Sequence, residues 1–517
     1  MFAPSFISPT FSDVFRVHDE STAGRARAGE EATPARGGTA NSVAMGCNQS
    51  MIDRAKSYVT KAETTVDDLP DILQKLVSAK QNDASKAALH ALMEVAESDI
   101  TASAVVRSGK IVQKLHAWSG SRDPEVKRSA LACCAMLSLS DEAGCAEEIA
   151  TPDFLANVGN MCKNKDKLLV RAAARYFSYA GGNATVRERI LSANINEQVW
   201  TFMKSKDQEV MKLGVQAWSR IADDPLAAER LVANDVEDII KFFFIRITKT
   251  DDTDVERWCL IAVARLAQAE AFSEKLATMD KLPIIFVKAN DSIAGRKLPA
   301  ALCIANCAAN KLLRVRLVKH RAFQLFVEMS KVGSHARKDM ADFQRVAALG
   351  LRNLASNFDL RALAGKIGAL EAVVKMLRSK DLEVARYAAK AASELSLHEE
   401  NGRKMVLAGA FKPLIEMAKS GDAYCETEAV AALANLALTE DNQKQFQKEG
   451  GMAAIEVMTL SKNPRVQHLA KRLVSRMRVA KMKTAARFAV QMAQAQKDLN
   501  RRRQGGYDDD WNGRDDD

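Results

Sequence analysis

The chain has no stretch in which apolar and polar residues alternate as they do along a half-buried strand, and only 11 of its 517 residues are proline and 6 are tyrosine. A β-sandwich or barrel needs that alternation and frequent turn signals, so the fold expected is all-α. No apolar run reaches the length of a bilayer-spanning helix, so membrane attachment would have to come through lipid. GxGxxG, P-loop and nucleophile-elbow motifs are missing, which removes the sequence marks of dinucleotide, nucleotide-phosphate and serine-hydrolase chemistry. The 9 cysteines form no CxxC pair and the 7 histidines are scattered singly. No metal site, cofactor or catalytic group is therefore expected, and the chain reads as a non-enzyme. Cys133, Cys134, Cys259, Cys303, Cys307 and Cys425 stand mostly beside alanine and leucine, where a thiol acts as a small buried apolar group. A reducing cytosolic setting suits them.

What the chain does have is repetition. One position near the end of an apolar helix, termed the anchor, recurs as Glu94, Met136, Ser178, Arg220, Arg265, Asn306, Asn353, Glu394, Asn435 and Arg476. The steps are 42, 42, 42, 45, 41, 47, 41, 41 and 41 residues, the period of helical repeats about forty residues long. Gly368, Gly409 and Gly450 step by 41, as do Asn401 and Asn442. In the clearest unit Asn401-Gly402-Arg403 opens a short helix and Gly409-Ala410 breaks it. A second helix is expected from Phe411 to Ala418, Ser420-Gly421-Asp422 ends it, and a third runs from Glu426 to Leu438. Apolar residues on more than one side of that third helix fit a helix sandwiched between neighbours.

Third helices reading ALGLRNLAS (Ala348 to Ser356) and ALANLAL (Ala432 to Leu438), with a glycine between the first two helices, resemble armadillo units rather than two-helix HEAT units. The resemblance covers most of the chain and is weaker around the fifth and sixth units, where the turn glycine is missing or displaced. It implies an armadillo-type right-handed superhelical solenoid of about ten three-helix repeats with a C-terminal basic helix. The expected organisation is a disordered leader over 1–44, an acylation motif and linker over 45–65, the repeat array over 66–480, a basic helix over 481–503 and a disordered acidic tail over 504–517. The polar insertion from Val332 to Phe343 is expected to be an exposed loop. Trp118 and Trp218 sit at apolar repeat positions and are expected in the core.

The formal charge is +10. From Arg465 to Arg503 twelve basic residues stand against Asp498, a net +11, so the rest of the chain sums to about −1. An array built to follow nucleic acid would repeat basic stripes along its length, so no nucleic-acid partner is expected. The basic segment either caps the last repeat or, as an amphipathic helix, meets acidic lipid, calmodulin or another acidic partner.

Met45-Gly46-Cys47-Asn48-Gln49-Ser50 matches the myristoylation pattern, with a cysteine beside the glycine as in dually acylated proteins. Gly46 would take myristate and Cys47 palmitate. Transfer needs a free N-terminal glycine, so the motif works if translation begins at Met45 or the leader is removed. A transit peptide is the rival reading, with Asp13, Asp19, Glu20, Glu30 and Glu31 against it; a plain leader with an accidental motif is the third.

An MGC start followed by an armadillo array resembles the acylated armadillo scaffolds, namely the yeast vacuolar armadillo protein and the apicomplexan armadillo-repeats-only proteins. The resemblance implies a scaffold or adaptor held on the cytosolic face of an organelle or plasma membrane. A protein or peptide ligand, such as a motor adaptor, would lie on its concave helix face. The alternative is a soluble cytosolic cargo carrier or a myosin-chaperone-like adaptor with no lipid. Asn306, Asn353 and Asn435 stand where armadillo peptide binders carry asparagines that hydrogen-bond an extended ligand; the other reading is an amide bonded to its own turn. Four residues earlier are Leu302, Leu349 and Ala431, not the tryptophans of import receptors. Arg220, Arg265 and Arg476, with Arg352 beside Asn353, would give the groove positive patches for an acidic or phosphorylated partner. Nothing in the sequence fixes an oligomeric state.

Overall fold

A computed structural model describes residues 110–139, 144–331 and 339–505, together with Ser85, Lys86, Leu89, Leu92, Met93, Ala102 and residues 105–107. Gly46, Cys47, the anchor Glu94, the acidic tail and residues 332–338 lie outside them. All regular structure among the described residues is helical. The chain divides into two compact units, one up to His320 and one from Arg321 onward.

Both units are built from three-helix repeats of armadillo type. In the first unit the third helices are α1 (Pro124–Leu137), α2 (Lys167–Ala180), α3 (Gln208–Ile221), α4 (Thr253–Leu266) and α5 (Ala294–Cys307). In the second they are α6 (Asp339–Ala355), α7 (Leu382–Leu395), α8 (Ala423–Leu436) and α9 (Pro464–Gly505). Within each unit, consecutive third helices pack side by side and two shorter helices lean on each of them. The repeat ahead of α8 has its short helices at Glu399–Leu407 and Phe411–Met417.

Aspartate starts most of these third helices. Asp123, Asp166, Asp207, Asp252, Asp381 and Asp422 each hold the N-cap in extended conformation while the carboxylate accepts amide hydrogens of the first turn. Such a cap contributes about 1 kcal/mol. It is also why α8 begins at Ala423, three residues before the start expected from the apolar pattern: the helix is set by Asp422, and the apolar run begins inside it. Sandwiching then buries most of each helix. In α4 every residue from Trp258 to Leu266 is buried, and in α5 every residue from Leu298 to Cys307. Trp118 and Trp218 are buried, as expected.

The turn between the first two helices uses a left-handed residue. Gly368, Gly409 and Gly450 have φ of 79°, 81° and 77°. Where the glycine is missing the conformation survives on other residues, with Asn194, Asp280 and Arg321 at 55°, 54° and 67°. Arg321 precedes Gly368 by one repeat, and Asp280 precedes Arg321 by another. Asn and Asp tolerate this region through local hydrogen bonding; Arg321 is held in it by its surroundings. The sequence signal fades in those units while the turn itself does not.

One expectation changes. The insertion expected as a loop from Val332 to Phe343 is helical from Asp339 on, because α6 starts there. Asp342 is only 3% exposed, and Arg345 Nη1 meets its Oδ1 at 3.1 Å one helical turn later. The last repeat and the basic segment share one helix, α9, which runs unbroken to Gly505; among the described residues its burial against the array ends at Met477, close to the boundary drawn at residue 480.

Gly450 isolates the conformational term, because a Cβ built there meets nothing within 4 Å. Gly450→Ala is expected to lower stability by about 1 kcal/mol from the left-handed backbone alone. Urea denaturation followed by circular dichroism checks it, and an unchanged midpoint would show the turn to be indifferent to Cβ.

Candidate partner-binding face

The anchors occupy the last turn of each third helix from α1 to α8, where the final carbonyls have no intrahelical donor. In the structure five of the anchors serve a carbonyl at the end of the third helix before them. Arg220 Nη1 donates to Ser178 O at the end of α2. Arg265 Nη1 donates to Ser219 O of α3 at 2.9 Å, and Asn306 Nδ2 to Ala264 O of α4 at 2.8 Å. In the second unit Asn435 Nδ2 donates to Ser393 O of α7 at 3.1 Å, and Arg476 Nη1 to Ala434 O of α8 at 2.7 Å. Arginine at this end also meets the negative pole of the neighbouring helix dipole.

A second ladder ties the opposite ends. In three repeats the arginine five residues after an N-cap aspartate reaches the N-cap aspartate of the next repeat, and Arg345 and Lys212 make related contacts. Arg128 meets Asp166 at 3.7 Å and Arg386 meets Asp422 at 2.5 Å. Arg171 grips Asp207 through both Nε and Nη2, at 3.2 and 2.9 Å. Arg345 meets Asp381 at 2.7 Å, and Lys212 reaches Asp254, just inside α4, at 2.8 Å. The aspartate thus caps its own helix and receives a cation from its neighbour. The Arg171 bond holds Asp207 below the usual carboxylate range, and the Arg386 bond brings Asp422 down to about 2. The D-x-x-x-x-[RK] spacing, seen at Asp166/Arg171 and Asp381/Arg386, was present in the sequence and was not used in its reading.

These contacts decide what each candidate residue can offer a ligand. Arg265 is 4% exposed and is tied to Asp223 at 2.8 Å, which is paired in turn with Arg187 at 3.5 Å. Asn306 and Asn353 are buried as well. Arg220, Arg352, Asn435 and Arg476 are half-buried and reach the surface. The Arg220 guanidinium lies between the Tyr179 and Trp258 rings, 5.8 and 5.6 Å from their centroids. Arg352 stands over the Tyr387 ring at 5.6 Å. The candidates are not gathered into one pocket: in the first unit they lie on α3, α4 and α5, and in the second on α6, α8 and α9. At the anchor between Asn353 and Asn435, Glu394 breaks the series and takes Arg361 at 2.6 Å and Lys390 at 3.2 Å. Tyr424, half-exposed on α8 and close enough to Arg352 and Lys390 to feel their charge, was missed because a lone tyrosine carries no periodic signal.

The six cysteines expected in the core are all buried, and burial pushes the Cys259 and Cys425 thiols up to about 12. Among the described residues no group of three histidine, cysteine, aspartate or glutamate side chains is placed to hold a metal ion. No helix among them is long and apolar enough to cross a membrane.

No family model matches the chain, and neither does any curated protein. Solved structures do. An engineered protein from a structural genomics consortium aligns over 79% of this chain and 98% of its own, at 23% identity and a TM-score of 0.61. A designed armadillo repeat protein aligns over 45% of this chain and 98% of its own, at 23% identity and a TM-score of 0.42. Another, in complex with the peptide (KR)4, covers 47% of this chain and 99% of its own at 21% identity and a TM-score of 0.41. At such identities the likeness is one of fold.

Three outcomes are expected. Asn306→Ala should cost about 1–3 kcal/mol, since it strands the buried Ala264 carbonyl; a side chain that served only a ligand would leave urea stability unchanged. Arg386→Gln should cost about 1 kcal/mol at neutral pH. A depressed carboxylate stabilises the fold above its unfolded value of about 4, and this is lost as pH falls through the folded value of about 2. The gap between wild type and Arg386→Gln should therefore close between those limits, and denaturation series at both ends of the window test it. Among the described thiols, half-buried Cys162 should be alkylated by iodoacetamide in the folded chain and the buried ones only after unfolding.

Proposed function

We propose that this chain is a non-enzymatic scaffold that binds a protein or peptide segment along the open face of its third helices. In this reading it is tethered to the cytosolic face of an organelle or plasma membrane by myristate on Gly46 and palmitate on Cys47. The observation that carries the binding role is the stack itself. Third helices pinned at both ends form a fixed frame that carries half-exposed arginine, asparagine and tyrosine side chains on several of its repeats. A frame that is already rigid loses little conformational entropy when a ligand settles on it.

Burial sorts the roles. Arg265, Asn306 and Asn353 form the framework; Arg220, Arg352, Asn435 and Arg476 are the proposed contacts, with Tyr424 beside them. Their charge favours an acidic or phosphorylated segment, such as that of a motor adaptor. One myristoyl chain gives only marginal, reversible membrane binding, so the second chain on Cys47 is what would make the tether stable. Without acylation the same face would serve a soluble cargo carrier or myosin-chaperone-like adaptor.

The tether is tested by the mass of the N-terminal peptide of the native protein and by fractionation. A myristoylated Gly46 start, with release from membranes on Gly46→Ala, is the expected result; a chain starting at Met1 leaves the soluble adaptor. For the face, Arg352→Glu combined with Arg476→Glu should weaken co-purification of partners at least about tenfold while helicity is unchanged. Undiminished capture would remove this face from the reading.

A further inference from the structure

The final helix changes the face on which it carries its apolar residues. Over its first part Val466, Ala470, Leu473, Val474 and Met477 are buried, and they form one stripe that packs on the last repeat. Continued at about 100° per residue, that stripe arrives at Lys481, Thr484, Phe488 and Gln491, three of which are polar. The apolar residues that follow, Met482, Ala485, Ala486, Ala489, Val490, Met492 and Ala493, form a second stripe rotated by roughly 120° from the first. This stripe has nothing on it among the described residues: Met482 is 64% exposed, Phe488 at its edge 63%, Val490 70% and Met492 56%. The one described ion pair of this stretch with the array is made from outside the second stripe, where Arg487 reaches Glu440 Oε1 at 2.7 Å. The second stripe therefore points away from the array and cannot serve as its cap.

Charge selects the occupant. Arg478, Lys481, Lys483, Arg487, Lys497, Arg501, Arg502 and Arg503 stand against the single acid Asp498, at both ends of the apolar stretch. A second copy of the helix would bring the same charge to the contact and be repelled. A helix with a broad apolar face, bases along its flanks and too little apolar length to span a bilayer has the build of one that lies in a membrane interface. There its apolar residues enter the acyl boundary and its cations meet anionic headgroups. We propose that the distal half of α9, from Met482 to Arg503, docks on an anionic lipid surface. This contact is independent of the acyl chains proposed at Gly46 and Cys47 and lies at the other end of the chain.

The test uses the full chain made in bacteria lacking any myristoyltransferase, so that no acyl chain contributes. It is mixed with vesicles of phosphatidylcholine alone or of phosphatidylcholine with phosphatidylserine, and bound protein is read by co-sedimentation. Binding to the anionic vesicles only, weakening as salt is raised, is the expected result. Two triple variants keep helix-forming side chains: Met482→Gln with Phe488→Gln and Met492→Gln, all at exposed positions, and Arg501→Gln with Arg502→Gln and Arg503→Gln. Each should weaken vesicle binding at least about tenfold at unchanged helicity. The proposal fails if anionic vesicles are not bound, if neutral vesicles are bound equally well, or if both variants bind like the wild type. Capture by calcium-loaded calmodulin without vesicle binding would also overturn it, in favour of an acidic protein partner.

Discussion

Every α-helix ends in carbonyls that nothing within the helix can satisfy, and a solenoid half-buries those ends between repeats. A stranded carbonyl there costs about 1–3 kcal/mol, while a capped end helps hold the stack. This chain meets the constraint from outside the helix: the donor comes from the same position of the following repeat, as an asparagine where a short reach suffices or an arginine where a longer one is needed. The anchor period is therefore a hydrogen-bonding period as well as an apolar one. Where the anchor cannot donate, the stack changes its device, and Glu394 instead gathers Arg361 and Lys390.

The N-terminal ends obey the complementary rule. The free amides at the start of a third helix call for an acceptor, and an aspartate N-cap supplies one. Being charged, the same aspartate also draws the guanidinium of the preceding repeat. One residue thereby fixes where a helix begins and where its neighbour lies, as at Asp207 and Asp422. With both ends held, the middle of each helix is left to apolar packing, and residues as small as alanine and cysteine fill it.

The repeat length, the helical class and the buried thiols were legible because each is written as a spacing or a composition. The left-handed turn was legible only where glycine marks it. Arg321 and Asp280 adopt the same conformation without the glycine that marks it elsewhere. The role of the anchors was not legible at all. A donor facing a ligand and a donor facing the previous helix call for the same residue types, and only burial separates Asn306 from Asn435. The start of α6 was hidden for a related reason, because its polar first turn reads as loop until Asp342 is seen to be enclosed. In the last helix the change of face was present in the sequence, but apolar spacing alone gives amphipathicity and not the direction in which the stripe points.

The distribution of charge then follows from the packing. Many of the array's cations on the third helices are engaged by carboxylates of the next repeat, which leaves few of them open to a ligand. In the second unit a partner of the kind proposed would meet few open charges, so its selection would rest on side chains such as Arg352, which stands over the Tyr387 ring, and on the half-buried amide of Asn435. The distal part of α9 is different. Among its described cations Arg487 has an acidic partner on the array. Long-range attraction therefore acts chiefly through this helix, while the third-helix face discriminates at short range. The proposed lipid contact and the proposed partner contacts share no residue, so the two can be changed separately.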